Sequence, residues 1–135
     1  MNKMKMLLAA VLVTAMTVPA MATEVRLSVE QMVKGGLTAT YTSSGLLAAN
    51  VYKIRNDGKV FLHFKKSGVG ACTVTITTPG TSQGLAISDQ TVTVDASTGD
   101  EMVGPLPASL FNDASSDVSF TVSDTVGLSI AVVRL

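Results

Sequence analysis

Hydrophobic and polar positions alternate with a period of two along much of the chain after residue 23, as in strands that bury one side. The clearest run spans 71–78, where Cys72, Val74 and Ile76 alternate with threonines. The candidate strands are 26–30, 37–42, 50–55, 59–66, 71–78, 85–87 with 91–95, 101–103, 117–124 and 128–135. About eight short strands at roughly ten-residue spacing indicate an all-β domain, a β-sandwich or a small closed sheet. We expect a single antiparallel β-sandwich, Ig-like or jelly-roll-like.

A turn signal, Asn56-Asp57-Gly58, separates two alternating runs. Asp-Gly tolerates the positive φ that tight hairpin turns require. Before the turn, Val51 points away from Tyr52 and Ile54, and after it Phe61, His63 and Lys65 share the side opposite to Val60, Leu62 and Phe64. This pattern predicts a β-hairpin over 51–64.

The remaining segments are less regular. Two prolines make 104–107 irregular, because proline cannot donate to a central ladder. A single helical turn is expected at 109–111. The segment 29–36 fits either a strand end or a short helical turn that a glycine ends.

The N-terminus has the features of a cleavable export signal. Lys3 and Lys5 precede an apolar run from Met6 to Val18, and Ala20-Met21-Ala22 supplies small residues at the cleavage positions. The run has about 13 residues, whereas a spanning helix needs about 20. We predict a cleavable signal helix over 1–22, a mature domain over 23–135, no stable membrane span after cleavage, and a periplasmic, extracellular or surface location. A mis-assigned start codon or an uncleaved amphipathic arm is the alternative.

Charge argues against nucleic acid as a partner. The chain has ten basic and ten acidic side chains. Removing Lys3 and Lys5 leaves eight basic and ten acidic side chains, a net charge of about −2. This lacks the excess of basic residues that is typical of domains that bind nucleic acid.

Cys72 is the chain's one cysteine, so an intramolecular disulfide is impossible. Its apolar neighbours favour a buried strand cysteine that acts as a small hydrophobe. An intermolecular disulfide or a reactive thiol is the alternative.

No residue pattern indicates catalysis. His63 is the one histidine, without a second metal ligand at useful spacing, and no serine occupies a nucleophile-elbow pattern. We therefore predict a structural strand histidine, no enzyme, no cofactor, and no catalytic, cofactor-binding or metal-binding residues.

Charged residues are expected at the surface. Asp113 and Asp117 flank one loop; a shared calcium ion is an alternative there, but solvated turn residues are favoured. The basic residues of the predicted hairpin suggest a solvated face or a guarded sheet edge, with contact to an acidic partner as the alternative. They are Lys53, Arg55, Lys59, Lys65 and Lys66.

Several short sequence segments resemble, in their order and spacing, a family of small phage virion proteins that are often encoded beside major capsid genes. They are Arg55–Gly58, Phe61–Lys66, Thr73–Thr81, Gly84–Ala86, Gly104–Pro107 leading to Phe111–Asp113, and Ala131–Leu135. The resemblance covers most of the mature domain and implies a non-enzymatic head-decoration or minor virion component with a β-sandwich fold. The chain departs from the family at Leu106 and Ala108, where an aromatic residue and a further proline are expected.

The export signal conflicts with this resemblance, because tailed-phage heads assemble in the cytoplasm. The domain has an exported bacterial role, the virus passes its subunits through a membrane, or the N-terminus is spurious. We expect a non-enzymatic structural subunit of a virion, or a derived exported assembly subunit, with proteins as partners through self-association or a capsid or surface assembly. A secreted or periplasmic module for adhesion or carbohydrate binding is the alternative.

Overall fold

The computed structural model describes residues 21–135, so most of the predicted signal lies outside the described residues. Within this range the alternating pattern produces eleven strands and one short helix. The elements are β1 (Glu24–Arg26), β2 (Glu30–Gln31), β3 (Val51–Arg55), β4 (Val60–Lys66), β5 (Cys72–Ile76), β6 (Thr81–Ser82), β7 (Leu85–Ala86), β8 (Gln90–Val94), β9 (Gly99–Val103), α1 (Ala108–Phe111), β10 (Asp117–Val122) and β11 (Leu128–Arg134).

The strands form two main sheets and a small hairpin, so the described residues are mostly β, as expected. The first sheet has the order β1-β3-β10-β5-β8, the second has the order β2-β11-β4-β9, and β6 pairs with β7. Neither main sheet closes on itself. The strand number exceeds the expected eight because β1, β2, β6 and β7 are pieces of two or three residues.

The sheets are not wholly antiparallel, which corrects the expectation. β1 runs parallel to β3, and β2 runs parallel to β11. The segment before β3 lies first along an edge of the first sheet and then along an edge of the second. Buried Leu27 lies in the short link between β1 and β2. Period-two alternation encodes which side chains face inward and carries no information on strand direction.

The predicted β-hairpin over 51–64 is wrong. β3 belongs to the first sheet and β4 to the second, so the chain crosses between sheets at Asn56-Asp57-Gly58. Gly58 has the positive φ (89°) that the turn signal predicted. The turn signal was therefore right, and the strand pairing inferred from it was not.

Both sheets share one hydrophobic core. The ring of Phe120 on β10 stacks on Tyr52 of the same sheet, with centroids 5.4 Å apart. It also meets Phe64 of the second sheet edge to face, at 5.7 Å. Buried side chains from both sheets belong to a single cluster around these rings.

Several local predictions are confirmed. The strands expected at 117–124 and 128–135 are present as β10 and β11, 104–107 is irregular, and α1 occupies the expected helical turn. The predicted strand over 37–42 is wrong, because only Thr42 forms a bridge, to Ile130. Segment 29–36 holds no helix: it contains β2 and a turn that the amide of Gly36 closes on the carbonyl of Val33 (3.0 Å).

Candidate functional site

Residues 32–42, here called the strap, pass over the outer face of the second sheet. At one end the amide of Met32 donates to the carbonyl of Arg134 (2.8 Å). At the other end Thr42 and Ile130 exchange two backbone hydrogen bonds of 2.8 and 2.9 Å. Because both ends are fixed to β11, the strap is held against the sheet.

An apolar groove of about 370 Å³ lies between the strap and the sheet. The sheet contributes Phe61, Met102, Val133 and Leu135 to its walls, and the strap contributes Met32, Val33, Leu37 and Ala39. Met102 remains 63% exposed, and Met32 and Val33 are about half exposed. The groove is therefore an apolar surface that the described part of the chain leaves uncovered.

His63 forms the polar part of this groove. Its Nδ1 lies 2.8 Å from the Tyr41 hydroxyl, and its Nε2 lies 2.5 Å from Asp100 Oδ1. In the neutral ring, the Tyr41 hydroxyl donates to Nδ1 and Nε2–H donates to the carboxylate. This chain of bonds links the strap, β4 and β9.

The electrostatics of the cluster favour a charged Asp100. The hydrogen bond from His63 holds the pKa of the Asp100 carboxyl below its usual value. The Lys65 ammonium lies 5.0 Å from the centre of the Tyr41 ring, within cation–π range. His63 thus fastens the strap, and both of its ring nitrogens are already engaged.

Comparison with known proteins gives no relative. No family model, no curated protein and no solved structure matches this chain.

The alternation placed His63 with Phe61 and Lys65 on the side of the strand opposite to Val60, Leu62 and Phe64, and the structure shows that the His63 side is the outer one. Sequence reasoning missed Tyr41 and Asp100, which are 22 and 37 residues away in sequence. The only available signal was that His63 shares an outward face with Phe61 and Lys65.

Cys72 is fully buried in the core, as predicted for a strand cysteine. Its side chain belongs to the core cluster that both sheets share, so the thiol has no access to an external partner in the folded state. No group of three or more histidine, cysteine, aspartate or glutamate side chains within residues 21–135 is placed to hold a metal ion. No helix in this same range is long and apolar enough to cross a bilayer.

Asp117 is not the solvated turn residue that was favoured. It is almost fully buried, and the Arg26 guanidinium donates to both of its carboxylate oxygens, at 2.9 and 2.6 Å. Asp113 does behave as a turn residue, since its Oδ1 accepts from the amides of Ser115 and Asp117. The Asp117 carboxylate thus has a cation partner within the chain.

The basic residues of the predicted hairpin do not form one face. Lys53 and Arg55 lie on the first sheet, whereas Lys65 lies on the outer face of the second. Lys66 is buried, with its Nζ 3.2 Å from Asp124 Oδ2 and 2.5 Å from the carbonyl oxygen of Val126. The predicted basic surface is therefore wrong, because β3 and β4 separate into different sheets and the Lys66 side chain turns inward.

Proposed function

We propose that the protein is an exported, non-enzymatic structural subunit that binds a repetitive protein assembly, such as a virion or a surface array. The observation that carries the proposal is the uncovered apolar groove beside the strap. Contiguous exposed apolar surface marks interaction sites on soluble proteins, and methionine and aromatic residues are enriched in protein interfaces.

The groove suits a protein surface as its partner. Met32 and Met102 are flexible and polarisable, so they adapt to the shape of an incoming apolar side chain. The chain of hydrogen bonds from Tyr41 through His63 to Asp100 holds the strap in place before binding, which lowers the entropy lost on association.

The fold we propose for this role is a single β-sandwich, Ig-like or jelly-roll-like in its connections. The contact of Phe64 with Phe120 across the two sheets and the shared core support it. Rigid sandwiches of this kind suit structural subunits because their outer faces remain available for contacts.

The resemblance to small phage virion proteins supports the same proposal, and the predicted export signal restricts it to two forms. A subunit that leaves the cytoplasm fits a virus whose proteins cross a membrane, or a former virion domain now used on a bacterial surface. Both forms need the same groove for attachment.

The test is whether the protein co-purifies with particles or arrays when the groove is altered. In Met102→Glu a charge enters the groove, whereas in Leu85→Glu it enters the β6–β7 hairpin, at a side chain that is 73% exposed and outside the groove. Mass spectrometry and negative-stain microscopy should find the wild type and Leu85→Glu on the particles. Met102→Glu should be depleted at least about tenfold, since burying an unpaired charge in an interface is costly.

Absence of the wild type from every particle and array would overturn the structural role. Equal retention of both variants would overturn the use of the groove.

The second candidate is an exported module for adhesion or carbohydrate binding. The groove volume of about 370 Å³ falls within the range of small-ligand sites, and its lining combines the aromatic ring of Phe61 with the polar ring of His63. Glycan-array and cell-wall pull-down experiments should then show binding by the wild type and loss of binding in Met102→Glu. If the wild type binds neither the glycans nor the cell wall, this candidate is contradicted.

A further inference from the structure

The strand β8 forms an open edge of the first sheet. Among the described strands it pairs only with β5. On its other side β5 pairs with β10. Thr73 and Thr77 direct their backbone groups to that side, since the Thr73 carbonyl accepts from the Ser123 amide and the Thr77 amide donates to the Ser119 carbonyl. The backbone groups of Cys72, Val74 and Ile76 therefore face β8, because directions alternate along a strand.

This alternation decides which groups of β8 are free. Val94, Val92 and Gln90 lie opposite Cys72, Val74 and Ile76, and so they use their backbone groups for the β5 ladder. Thr91 and Thr93 direct their N–H and C=O groups to the open edge, and both residues are exposed. The edge thus offers alternating donors and acceptors in the geometry of a strand-binding site.

The four edge strands of the two main sheets differ in their charge. β1 carries Glu24 and Arg26, β2 carries Glu30, and β9 carries Asp100 and Glu101. Charged residues on an edge discourage pairing with another chain. β8, with the sequence Gln-Thr-Val-Thr-Val, carries no charge within the strand. It is the edge least protected against strand addition.

Carboxylates flank β8 on both sides, at Asp89 and Asp95. Antiparallel pairing of β8 with the β8 of a second copy would place Asp89 of one copy opposite Asp95 of the other, at both ends. Like charges at such positions are destabilising, so self-pairing in this register, which aligns the two strands over their full length, is disfavoured. Basic residues at both ends of an incoming strand would instead form favourable pairs.

We propose that the β8 edge binds an extended segment of a partner protein, with uncharged residues at its centre and lysine or arginine at both ends. The segment adds a sixth strand to the first sheet. Thr91 and Thr93 supply the main-chain hydrogen bonds, and Asp89 and Asp95 select the basic ends. This site is distinct from the groove, which lies on the second sheet.

Two blocked peptides provide the test. One has the sequence of residues 89–95 with lysine in place of both aspartates, and its matched control keeps the aspartates. Each is titrated into the protein recovered after expression of the full chain, with binding followed by amide NMR shifts and hydrogen exchange. The lysine-ended peptide should bind roughly tenfold more tightly than the control and should slow exchange of the Thr91 and Thr93 amides. Added salt should reduce the difference.

Two variants assign the binding to the edge. Thr93→Pro removes an outward N–H that the β5 ladder does not use, so the protein should stay folded and lose the peptide. Thr93→Val keeps this N–H and should retain binding. Asp89→Asn combined with Asp95→Asn should erase the preference between the two peptides, and this result does not depend on the folding of the proline variant.

Equal affinity for the two peptides in the wild type would overturn the proposal, as would no binding of either. Protection that appears away from Thr91 and Thr93 would also overturn it. Met102→Glu should bind the lysine-ended peptide as the wild type does, so that failure of the groove proposal and failure of the edge proposal are separable.

Discussion

At the residue scale, Asp117 shows how a buried charge fastens the N-terminal strand. The bidentate bond from Arg26 on β1 joins this strand to β10, although β3 lies between them in the sheet. The side chain of Arg26 lies across the face of β3, and Lys53 of β3 forms its own ion pair with Glu24 (2.9 Å). The charges on this face are therefore largely paired within the chain.

Acid should weaken the fold through Asp117. The hydrogen bond from Arg26 holds its pKa below the ordinary value of 3.8, and Arg55 and Lys53 act in the same direction. Because the pKa of Asp117 is lower in the folded state than in the unfolded chain, the charged carboxylate stabilises the fold above pH 3.8. This stabilisation is lost as the pH falls through the lowered pKa of the folded state. Urea unfolding at a series of pH values from neutral to acid measures this effect. At neutral pH the free energy of unfolding should be larger for the wild type than for Asp117→Asn, and the difference should vanish in acid.

The control for this experiment is Asp95→Asn, because Asp95 is exposed and forms no ion pair among the described residues. It should leave the pH profile of the wild type unchanged. A constant gap between Asp117→Asn and wild type at all pH values would contradict the prediction.

At the element scale, the connection from β3 to β4 depends on a buried amide. Asn56 donates from Nδ2 to the carbonyl oxygen of Leu106 (2.9 Å) and to Asn112 Oδ1 (2.7 Å), while its Oδ1 accepts from the Gly58 amide (3.0 Å). Asn56→Ala should lower the free energy of unfolding by about 2–3 kcal/mol, because Leu106 and Asn112 lose a buried partner.

Chemical denaturation measures this loss, and Gln31→Ala is its control. Gln31 is an exposed amide with one long bond of 3.3 Å to the neighbouring carbonyl of Met32. Its removal should change stability by less than about 0.5 kcal/mol. Similar losses in the two variants would show that Asn56 does not hold the connection.

The same connection shows how far sequence reasoning reaches. The alternation correctly separated Tyr52 and Ile54 from Val51, and Leu62 and Phe64 from Phe61 and His63, and the structure shows that Tyr52, Ile54, Leu62 and Phe64 form the buried side. Their alternation fits a hairpin and a crossing between sheets equally well, since both bury the same side chains. What separates the two is the anchoring of Asn56 by residues about fifty positions away, which no local pattern contains.

The candidate site was less predictable than the fold for a related reason. The strap has a threonine-rich sequence that suits a strand, but it lies over the second sheet, where Tyr41 contacts His63 and the apolar side chains of the strap line one side of the groove. Only Thr42 reaches a ladder position, opposite Ile130. Packing against a distant surface overrode β propensity in this segment.

At the scale of the whole molecule, the segment from β1 to β2 covers one edge of each main sheet. The carbonyl of Thr23 accepts from the Val51 amide (3.0 Å), so pairing starts at the predicted first residue of the mature domain. Signal cleavage after Ala22 would leave this pairing intact.

If the proposed export takes place, intact mass measurement and N-terminal sequencing of the protein secreted by a bacterial host should find Thr23 as its first residue. Ala22→Arg should block processing because signal peptidase requires a small residue at that position, whereas Met21→Leu, at the position between the two small residues, should not. A first residue beyond Glu24, or cleavage that Ala22→Arg leaves unaffected, would contradict the assignment.

The position of Leu135 in the wall of the groove has a practical consequence for laboratory work. An affinity tag fused after Leu135 would emerge beside the groove and obstruct whatever binds there, so pull-downs with such a fusion would report false negatives. The β6–β7 hairpin is exposed from Thr81 to Ala86 and contributes to neither main sheet. An epitope or fluorophore inserted at Gln83-Gly84 would leave the groove accessible.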